Sequence, residues 1–348
     1  MNFKKSIFDF NNFLIINTAF IGDVALSVYI ANEIKVKHPN SNISFLTTPN
    51  SSSLLKPIKA IDSILIYNKK NEGKSLSSIK TKADMLSKLG INCIINPHQS
   101  FRTSLLTHYV KSEYKIGYKS ASLNFVYNCK IEYKKNRHSI FRNLELLKGF
   151  KEFNNISEYS KVELNFNDTD LELVDNILLQ NGVSDLNRVV AIAPASAWKT
   201  KEWNESHFID LCKKLKEKNY EIVVIGSKLD FEKCQRISYE TFSSNLSGKL
   251  DLDQTLILLS NSKLLISNDS SPVHLAGIVN TPTIEIFGPT SPIFGFGPSS
   301  DKFKIIENNN LICRPCNIHG ENICPLGTHE CMTSLSPDDI MKEIENII

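Results

Sequence analysis

Residues 264–292 constrain the fold more than any other part of this sequence. An apolar run at residues 264–266 is typical of a buried strand, and it stops at the polar residues 268–271. Pro272 then indicates that a helix begins here. Asp and Ser, which precede it, are preferred N-cap residues, and Pro is preferred in the first turn of a helix. A second apolar strand follows at Thr283–Phe287. The pattern predicts a helix N-terminus at a sheet edge, where unpaired N–H groups bind phosphate.

Apolar runs and helical patterns alternate along the rest of the chain, which predicts parallel sheets covered by helices. In the first half, strands are predicted at residues 13–17, 42–47, 64–67 and 93–96, and helices at residues 24–34, 51–58 and 76–89. A polar stretch at residues 151–170 interrupts the alternation, which restarts with a predicted helix at residues 171–179. The 348 residues suffice for two domains of about 150–180 residues each.

Charge and composition exclude some classes of function. The net charge of +3 is too small to indicate a nucleic-acid-binding protein. No G-x-G-x-x-G follows the first predicted strand, which argues against a dehydrogenase. Basic residues cluster at residues 111–119 and 130–142, and they are either a solvated face or a contact for an anionic membrane or acidic acceptor.

The sequence predicts neither a transmembrane helix nor a signal peptide. There is no run of eighteen apolar residues, and the first sixteen residues contain Asp9 where a signal peptide needs an apolar core. We therefore expect a cytoplasmic protein. In that reducing compartment the eight cysteines are not expected to form disulfides.

Four motifs in order along the chain resemble glycosyltransferase family 9, the lipopolysaccharide heptosyltransferases. They are N-T-A-F-I-G-D-V at residues 17–24, A-P-A-S…K-T-K-E-W at 193–203, D-S-S-P-V-H-L-A…T-P-T-I-E-I-F-G-P-T-S-P at 269–292, and the cysteine-rich tail at 313–337. This chain has Ser271 where the family commonly has Gly after D-S, and a side chain there narrows the space for phosphate.

The resemblance implies an α/β protein of GT-B architecture, with two Rossmann-like domains and an interdomain cleft. Residues 1–165 would bind the acceptor, residues 166–335 would bind the nucleotide sugar, and a helix at residues 336–348 would pack back toward the N-terminal domain. The implied activity is inverting transfer of a heptosyl group from ADP-heptose to the inner core (Kdo/heptose) of lipopolysaccharide. The acceptor would be the lipid A-core, reached by a protein that is peripheral on the cytoplasmic face of the inner membrane.

Three other functions remain open at this stage. A family member could use a different nucleotide-sugar donor, because the sugar pocket is not legible from the sequence. A non-catalytic nucleotide-sugar-binding protein would have the same phosphate turn. A two-domain nucleotide-sugar epimerase would share the scaffold and would turn over its sugar without an acceptor.

Two residues are predicted to carry the chemistry. Asp23 follows the first strand and Gly22, where its carboxylate can take the proton of an acceptor hydroxyl. It could instead be a helix N-cap. Lys201 lies at the carboxyl end of the strand at residues 189–193, where an ammonium group stabilises a leaving diphosphate. The resemblance favours Lys201 over Lys199.

The remaining candidates are donor-binding residues. The resemblance places Asp230 at the ribose and Leu250 at the adenine. Asp269 is predicted to bind sugar hydroxyls or to fix its turn, and the N–H groups of residues 271–273 are predicted to be the main phosphate donors. The other predicted donor-binding residues are Thr18, Gly22, Ser196, Thr200, Ser270, Ser271 and His274.

Four cysteines near the end have the density of a structural metal site. Cys313, Cys316, Cys324 and Cys331 contain one C-x-x-C pair and two more widely spaced cysteines. They either hold a structural zinc or are free, packed cysteines. No cofactor is expected in catalysis, because lysine and helix N–H groups would counter the phosphate charge.

Overall fold

A computed structural model describes residues 4–69 and 75–348 of the chain. It divides into two compact units, Met1–Asn165 (unit 1) and Phe166–Ile348 (unit 2). Among the described residues, none of the helices is both long and apolar enough to cross a bilayer.

Unit 1 contains a six-stranded parallel sheet in the order β3-β2-β1-β4-β5-β6. Its strands are β1 Asn12–Ile16, β2 Asn42–Thr47, β3 Ser63–Ile66, β4 Cys93–Asn96, β5 Tyr114–Tyr118 and β6 Cys129–Ile131. Its described helices are α1 Ile21–Lys37, α2 Leu76–Ser87, α3 Phe101–Tyr109 and α4 Ser139–Glu145.

Unit 2 repeats this design with a parallel sheet in the order β12-β11-β10-β7-β8-β9. Its strands are β7 Val189–Ala193, β8 Glu221–Val224, β9 Ser244–Asn245, β10 Leu264–Asn268, β11 Thr283–Phe287 and β12 Phe303–Glu307. Its helices are α5 Asp168–Gln180, α6 Glu205–Glu217, α7 Phe231–Thr241, α8 Leu252–Ser260, α9 Ser271–Val279, α10 Glu330–Thr333 and α11 Pro337–Ile347. The predicted α/β fold class is confirmed.

The C-terminal helix belongs to unit 2. α11 packs on α6 and β12, and Ile340, Met341, Ile344 and Ile347 enter the same core cluster as Trp203. An apolar stripe at this spacing is what a helix needs to bury one face. This stripe completes the core of unit 2. Packing of α11 toward unit 1 stays a prediction.

One predicted helix is wrong, and three strands, β5, β6 and β12, were missed. Residues 51–58 form only 3₁₀ turns, at Pro49–Ser51 and Ser53–Leu55, and not a helix. Pro57 lacks the N–H that a longer helix would need there. β5 lies within and β6 overlaps the stretches that the sequence marked only as basic clusters, and each strand carries a lysine that interrupts its apolar pattern.

Candidate active site

The candidate site of unit 2 lies at the carboxyl ends of β7, β10 and β11. All residues of these three strands are buried. α9 starts directly after β10, so the positive end of its dipole lies at the same edge. Ligands of parallel α/β sheets bind at this edge.

An ion pair joins the loop after β7 to the end of β10. Lys201 Nζ lies 2.6 Å from Asp269 Oδ2, and the two side chains are 11% and 8% exposed. Thr290 Oγ1, in the loop after β11, donates a hydrogen bond of 2.5 Å to the same oxygen. Lys199 is exposed. Of the two lysines in the motif, Lys201 therefore lies at this edge, where Asp269 holds its ammonium group.

Asn268 fixes the backbone around this ion pair. Its Oδ1 accepts a hydrogen bond of 3.0 Å from Trp203 N, and its Nδ2 donates one of 2.8 Å to Pro194 O. The buried Trp203 indole donates from Nε1 to Leu335 O at 2.9 Å. Asn268 thus ties both ends of the loop that carries Lys201 to β10. Sequence reasoning missed this role. The available signal was an Asn at the end of an apolar strand.

The helix after β10 offers fewer donors than the sequence predicted. α9 begins at Ser271, and Ser270 is its extended N-cap residue. The prediction that residues 271–273 all donate is wrong, because Pro272 has no N–H and Val273 N donates to Ser270 O at 3.2 Å. Of these three residues, Ser271 at the first position of α9 therefore keeps an N–H group that could bind a phosphate. The phosphate role of Ser271 and Ser270 stays a prediction.

His274 lies in the packed part of α9. It is 6% exposed, and its ring centroid is 6.4 Å from that of Phe296. This position is that of a packed histidine. A donor contact for His274 stays a prediction.

A buried carboxyl group next to the ion pair was not singled out from the sequence. Glu285 lies in the middle of β11, is fully buried, and has no hydrogen-bond partner for either carboxylate oxygen within the described part of the chain. Burial raises the pKa of Glu285 well above its ordinary value, the charge of Asp269 raises it further, and Lys201 opposes both. These effects favour the neutral acid. A Glu flanked by isoleucines in an apolar strand was the available signal.

The hydroxyl group of Thr200 forms hydrogen bonds with the C-terminal segment. Its Oγ1 donates to Glu321 O at 2.7 Å and accepts from Glu321 N at 2.8 Å, and its carbonyl oxygen lies 2.7 Å from His329 Nε2. The hydroxyl proton of Thr200 is therefore used by Glu321, and a phosphate contact would have to replace this bond. The donor contact of Thr200 stays a prediction. Ser196 is half-buried, and its Oγ accepts from Trp198 N at 3.4 Å. Its donor contact stays a prediction.

The predicted nucleoside residues lie at the carboxyl end of β8 and before α8. Asp230 accepts hydrogen bonds from Ser227 N at 2.8 Å and Ser227 Oγ at 2.6 Å, so one of its oxygens caps its own turn. A ribose contact for Asp230 would have to use its second oxygen or replace this cap. Leu250 is half-buried, and its adenine contact stays a prediction.

The cysteine-rich segment encloses a cavity of about 270 Å³ next to this edge. Its lining includes Cys313, Cys316, Cys324 and Cys331, together with Arg314 and His329. Burial raises the pKa of Cys331 to about 11. Within residues 4–69 and 75–348, no group of three or more His, Cys, Asp or Glu is arranged to hold a metal ion. Four thiols are a suitable donor set for zinc, but their arrangement here does not fit one.

Two contacts connect this segment to the ion pair. Arg314 donates to Thr290 O at 2.8 Å and forms an ion pair of 2.7 Å with Glu307. Gly320, with φ of 91°, packs so closely on Lys201 that a Cβ there would lie 3.0 Å from Lys201 Cγ. Only glycine is suited to this position. The segment therefore supports the stem of Lys201 and the loop of Thr290.

In unit 1, the predicted Gly-Asp turn forms the start of α1. The helix begins at Ile21 with Phe20 as N-cap residue, so Asp23 lies in the first turn and is not the N-cap. Asn17 Nδ2 donates to Asp23 O and to Ser27 Oγ, both at 3.0 Å. The buried Asn17 thus holds the backbone of the half-buried Asp23 at the carboxyl end of β1. Gly22 lies in the same first turn.

Basic side chains crowd the same edge of unit 1. Lys69 Nζ donates to Thr18 O, and Thr18 Oγ1 lies 3.2 Å from His98 Nδ1. Burial and then the nearby Lys69 lower the pKa of His98 to about 4. Burial and then Arg102 lower the pKa of Lys69. The fully buried Thr18 is thus a link between two basic groups. Sequence reasoning missed Lys69 and His98, which lie after β3 and β4, where polar residues at strand ends were the signal.

The model of one protein family matches residues 85–324, which is more than half of the chain. Its description is glycosyltransferase family 9 (heptosyltransferase). The chain belongs to this family. The resemblance noted in the sequence is confirmed, and the chain is that of a glycosyltransferase.

Similar proteins agree with the family assignment over nearly the full length. Lipooligosaccharide heptosyltransferase 2 of Haemophilus influenzae is 23% identical over 97% of this chain and 99% of its own. The structure of Escherichia coli ADP-heptose LPS heptosyltransferase II matches with a TM-score of 0.80 and 18% identity, covering 96% of this chain and 98% of its own. The iron-containing dodecameric glycosyltransferase TibC of enterotoxigenic E. coli matches with a TM-score of 0.58 and 13% identity, covering 99% of this chain and 78% of its own. These likenesses confirm the GT-B-type fold.

Proposed function

We propose that this family 9 enzyme transfers a heptosyl group from ADP-heptose to the inner core (Kdo/heptose) of lipopolysaccharide. The observation that carries the proposal is the Lys201–Asp269 pair at the head of α9, in a chain similar over its full length to heptosyltransferases. A cation and a helix N-terminus at one sheet edge suit a diphosphate.

The donor role of unit 2 rests on charge. Breaking the bond between the sugar and ADP builds negative charge on the diphosphate, and a fixed ammonium group stabilises that charge. Lys201 is nearly buried, which strengthens its interaction with an anion. In the free protein Asp269 holds Lys201, and we expect the greater negative charge of the diphosphate to draw Lys201 away from this carboxylate when ADP-heptose binds.

The acceptor role of unit 1 rests on Asp23 and on the basic edge around it. We expect the Asp23 carboxylate to take the proton of the acceptor hydroxyl, which then attacks the anomeric carbon from the face opposite ADP. A single displacement of this kind inverts the anomeric centre. The crowded basic groups Lys69, His98 and Arg102 suit an acceptor that carries carboxylate or phosphate groups.

The place of action follows from the proposed acceptor. A lipid A-core acceptor would bring the protein to the cytoplasmic face of the inner membrane as a peripheral protein. The exposed lysines at 111 and 119 and the exposed Phe101 and Phe125 support such a contact, since basic and aromatic side chains together bind anionic membrane surfaces.

The test is a transfer assay with ADP-heptose. The protein is incubated with the donor, with and without a heptose-free Kdo-lipid A acceptor, and the products are analysed by mass spectrometry. We expect a heptosylated lipid and ADP only when the acceptor is present. Turnover of ADP-heptose that is equal without acceptor would contradict transfer. If the protein binds ADP-heptose but forms no product with either this acceptor or a heptosylated one, the result would indicate a non-catalytic nucleotide-sugar-binding protein.

A further inference from the structure

Glu285 occupies a position that stability alone does not explain. A fully buried carboxyl group without hydrogen-bond partners destabilises a folded protein, and an apolar side chain of similar size would not. Its neighbours Ile284 and Ile286, by contrast, belong to the main apolar cluster of unit 2.

The strand geometry directs Glu285 toward the Lys201–Asp269 pair. Glu285 is paired in register with Ser267 of the neighbouring β10. Asp269 follows two residues later, and its N–H donates to Ile286 O at 3.1 Å, which continues the ladder. Residues paired in register, and residues two apart in one strand, point to the same face of a sheet. The carboxyl groups of Glu285 and Asp269 therefore share one face, and the charge of Asp269 raises the pKa of Glu285.

We propose that Glu285 is the replacement partner of Asp269, to which it donates its carboxyl proton in a hydrogen bond when a diphosphate draws Lys201 away. This inference rests on the proposed function, because it requires Lys201 to bind a diphosphate. Without a replacement, Asp269 would be left as a nearly buried anion whose side-chain hydrogen bond, within the described part of the chain, comes from Thr290, and that cost would weaken donor binding. A neutral acid supplies a donor without adding charge. Glu285 is thus a positioning residue that acts through Asp269.

The test compares ADP binding by calorimetry in wild-type protein, Glu285→Gln and Glu285→Leu. The glutamine amide keeps a donor, so we expect an ADP Kd within about threefold of wild type. Leucine has none, and we expect a Kd about tenfold or more weaker, which is the usual worth of a hydrogen bond to a charged group. Glu221→Gln is the matched control, since Glu221 on β8 bonds to Ser184 outside this cluster. Equal Kd values for the Gln and Leu variants would overturn the proposal.

A thermal-unfolding measurement separates this role from a structural one. Because Glu285 lacks partners in the free protein, we expect Glu285→Leu to have a Tm equal to or above that of wild type while it binds ADP more weakly. A lower Tm, with ADP binding reduced only in proportion to unfolded protein, would indicate a packing role and overturn the proposal.

The pH dependence gives a second readout. The charged groups near Glu285 are Asp269, Lys201 and, on the neighbouring β12, Glu307 with its partner Arg314; His274 lies on α9, which packs on β10 and β11. Once Glu285 loses its proton it can no longer donate, so the wild-type Kd for ADP should rise relative to that of Glu285→Gln as the pH increases through the pKa of Glu285, which burial holds well above its ordinary value. A ratio of the two Kd values that stays constant would overturn the proposal.

A double variant shows whether the effect passes through the lysine. In a Lys201→Ala background no cation leaves Asp269 on binding, so the further change Glu285→Leu should alter the ADP Kd less than twofold. If wild type binds ADP and Lys201→Ala weakens binding, but Glu285→Leu does not, the inference alone fails. If Lys201→Ala leaves ADP binding unchanged, the proposed role of Lys201 fails first.

Discussion

The carboxyl edges of the two sheets carry opposite electrostatic arrangements. In unit 2 the ammonium group of Lys201 is paired with Asp269 and lies close enough to Glu285 to oppose the rise of its pKa. In unit 1 the basic groups Lys69 and His98 lie on either side of Thr18, and burial lowers the pKa of both. Lys69 lowers the pKa of His98 further, and Arg102 that of Lys69. A cation that a protein carboxylate already holds must exchange partners to bind a ligand, whereas crowded basic groups are stabilised when an anion arrives. In the proposed function, the two sheets of the same fold would therefore bind their anionic ligands, the donor and the acceptor, by two different electrostatic arrangements.

The largest effect is expected when the proposed base is removed from the edge of unit 1, which tests the acceptor side of this comparison. Asp23→Asn should preserve the fold and ADP binding but lower the rate of transfer about 10²–10⁴-fold, the usual worth of a positioned general base. Initial rates of ADP release with acceptor measure this. Asp84→Asn, an exposed carboxylate on α2, is the matched control. Transfer within a few-fold of wild type would remove Asp23 from the mechanism.

The next largest effect should be on the edge of unit 2. Lys201→Ala should weaken ADP binding about 10- to 100-fold, since charge-assisted hydrogen bonds contribute about 1.5–3 kcal/mol. Lys199→Ala, two residues away and exposed, is the control and should change the Kd less than threefold. Titration calorimetry measures both. Equal losses would mean that the loop acts as a diffuse positive patch and that the buried pair has no special role.

Acid should destabilise the edge of unit 1. The pKa of His98 is about 4 in the folded protein and about 6.5 in an unfolded chain, so the unfolded chain binds more protons between these values. Stability is then lost as the pH falls from about 6.5 to about 4. We expect urea unfolding to show a loss of about 1–2 kcal/mol between pH 7 and pH 5 that His98→Gln reduces. His108→Gln, exposed on α3, should keep the wild-type pH dependence. An identical pH dependence in His98→Gln would contradict this role.

Base should destabilise the edge of unit 2. The pKa of Glu285 lies well above its ordinary value in the folded protein, so between the two values the folded state holds a proton that the unfolded chain has lost. Stability from this group is present below the unfolded pKa and is lost as the pH rises. Relative to wild type, Glu285→Gln should gain more stability at pH 8 than at pH 5 in the same urea experiment. An equal gain at both pH values would show that Glu285 is already ionised in the folded protein.

Chelation should have the smallest effect. Since Lys201 and the head of α9 supply the positive charge for the diphosphate, transfer should proceed unchanged in EDTA. Elemental analysis of wild type and Cys316→Ser, before and after dialysis, shows in parallel whether the cysteine-rich segment carries a metal. Loss of transfer in EDTA that added metal restores would contradict the proposal that Lys201 and the N-terminus of α9 together supply the counter-charge.

Local signals in the sequence were enough for the fold and for the ends of the loops. Strands such as β10 and β11 are continuous apolar runs, and the polar residues that stop them mark the functional edge. The spacing from Lys201 to Trp203 likewise favoured Lys201, which the structure pairs with Asp269 at that edge; its role in catalysis stays a prediction. These features depend on neighbours in sequence, so a pattern reveals them.

Partners from distant parts of the chain were not visible in the same way. Thr200 looked available for phosphate, yet its hydroxyl bonds to Glu321, more than a hundred residues later. Glu285 looked like one polar residue in a strand, and only the register with β10 shows that it shares a face with Asp269. Lys69 and His98 meet at Thr18 because β1 lies between β2 and β4, which no local pattern states.

Asn268 and its contact with Trp203 have an optical consequence. The chain has two tryptophans, Trp198 and Trp203, and both lie within three residues of Lys201. Trp203 N donates to Asn268, the residue next to Asp269. Any exchange of partners by Lys201 therefore takes place on the loop that carries both tryptophans of the protein. Intrinsic fluorescence excited at the indole band would therefore report on this one loop, without a label and without background from another tryptophan. Stopped-flow mixing with ADP could then time the departure of Lys201 from its carboxylate.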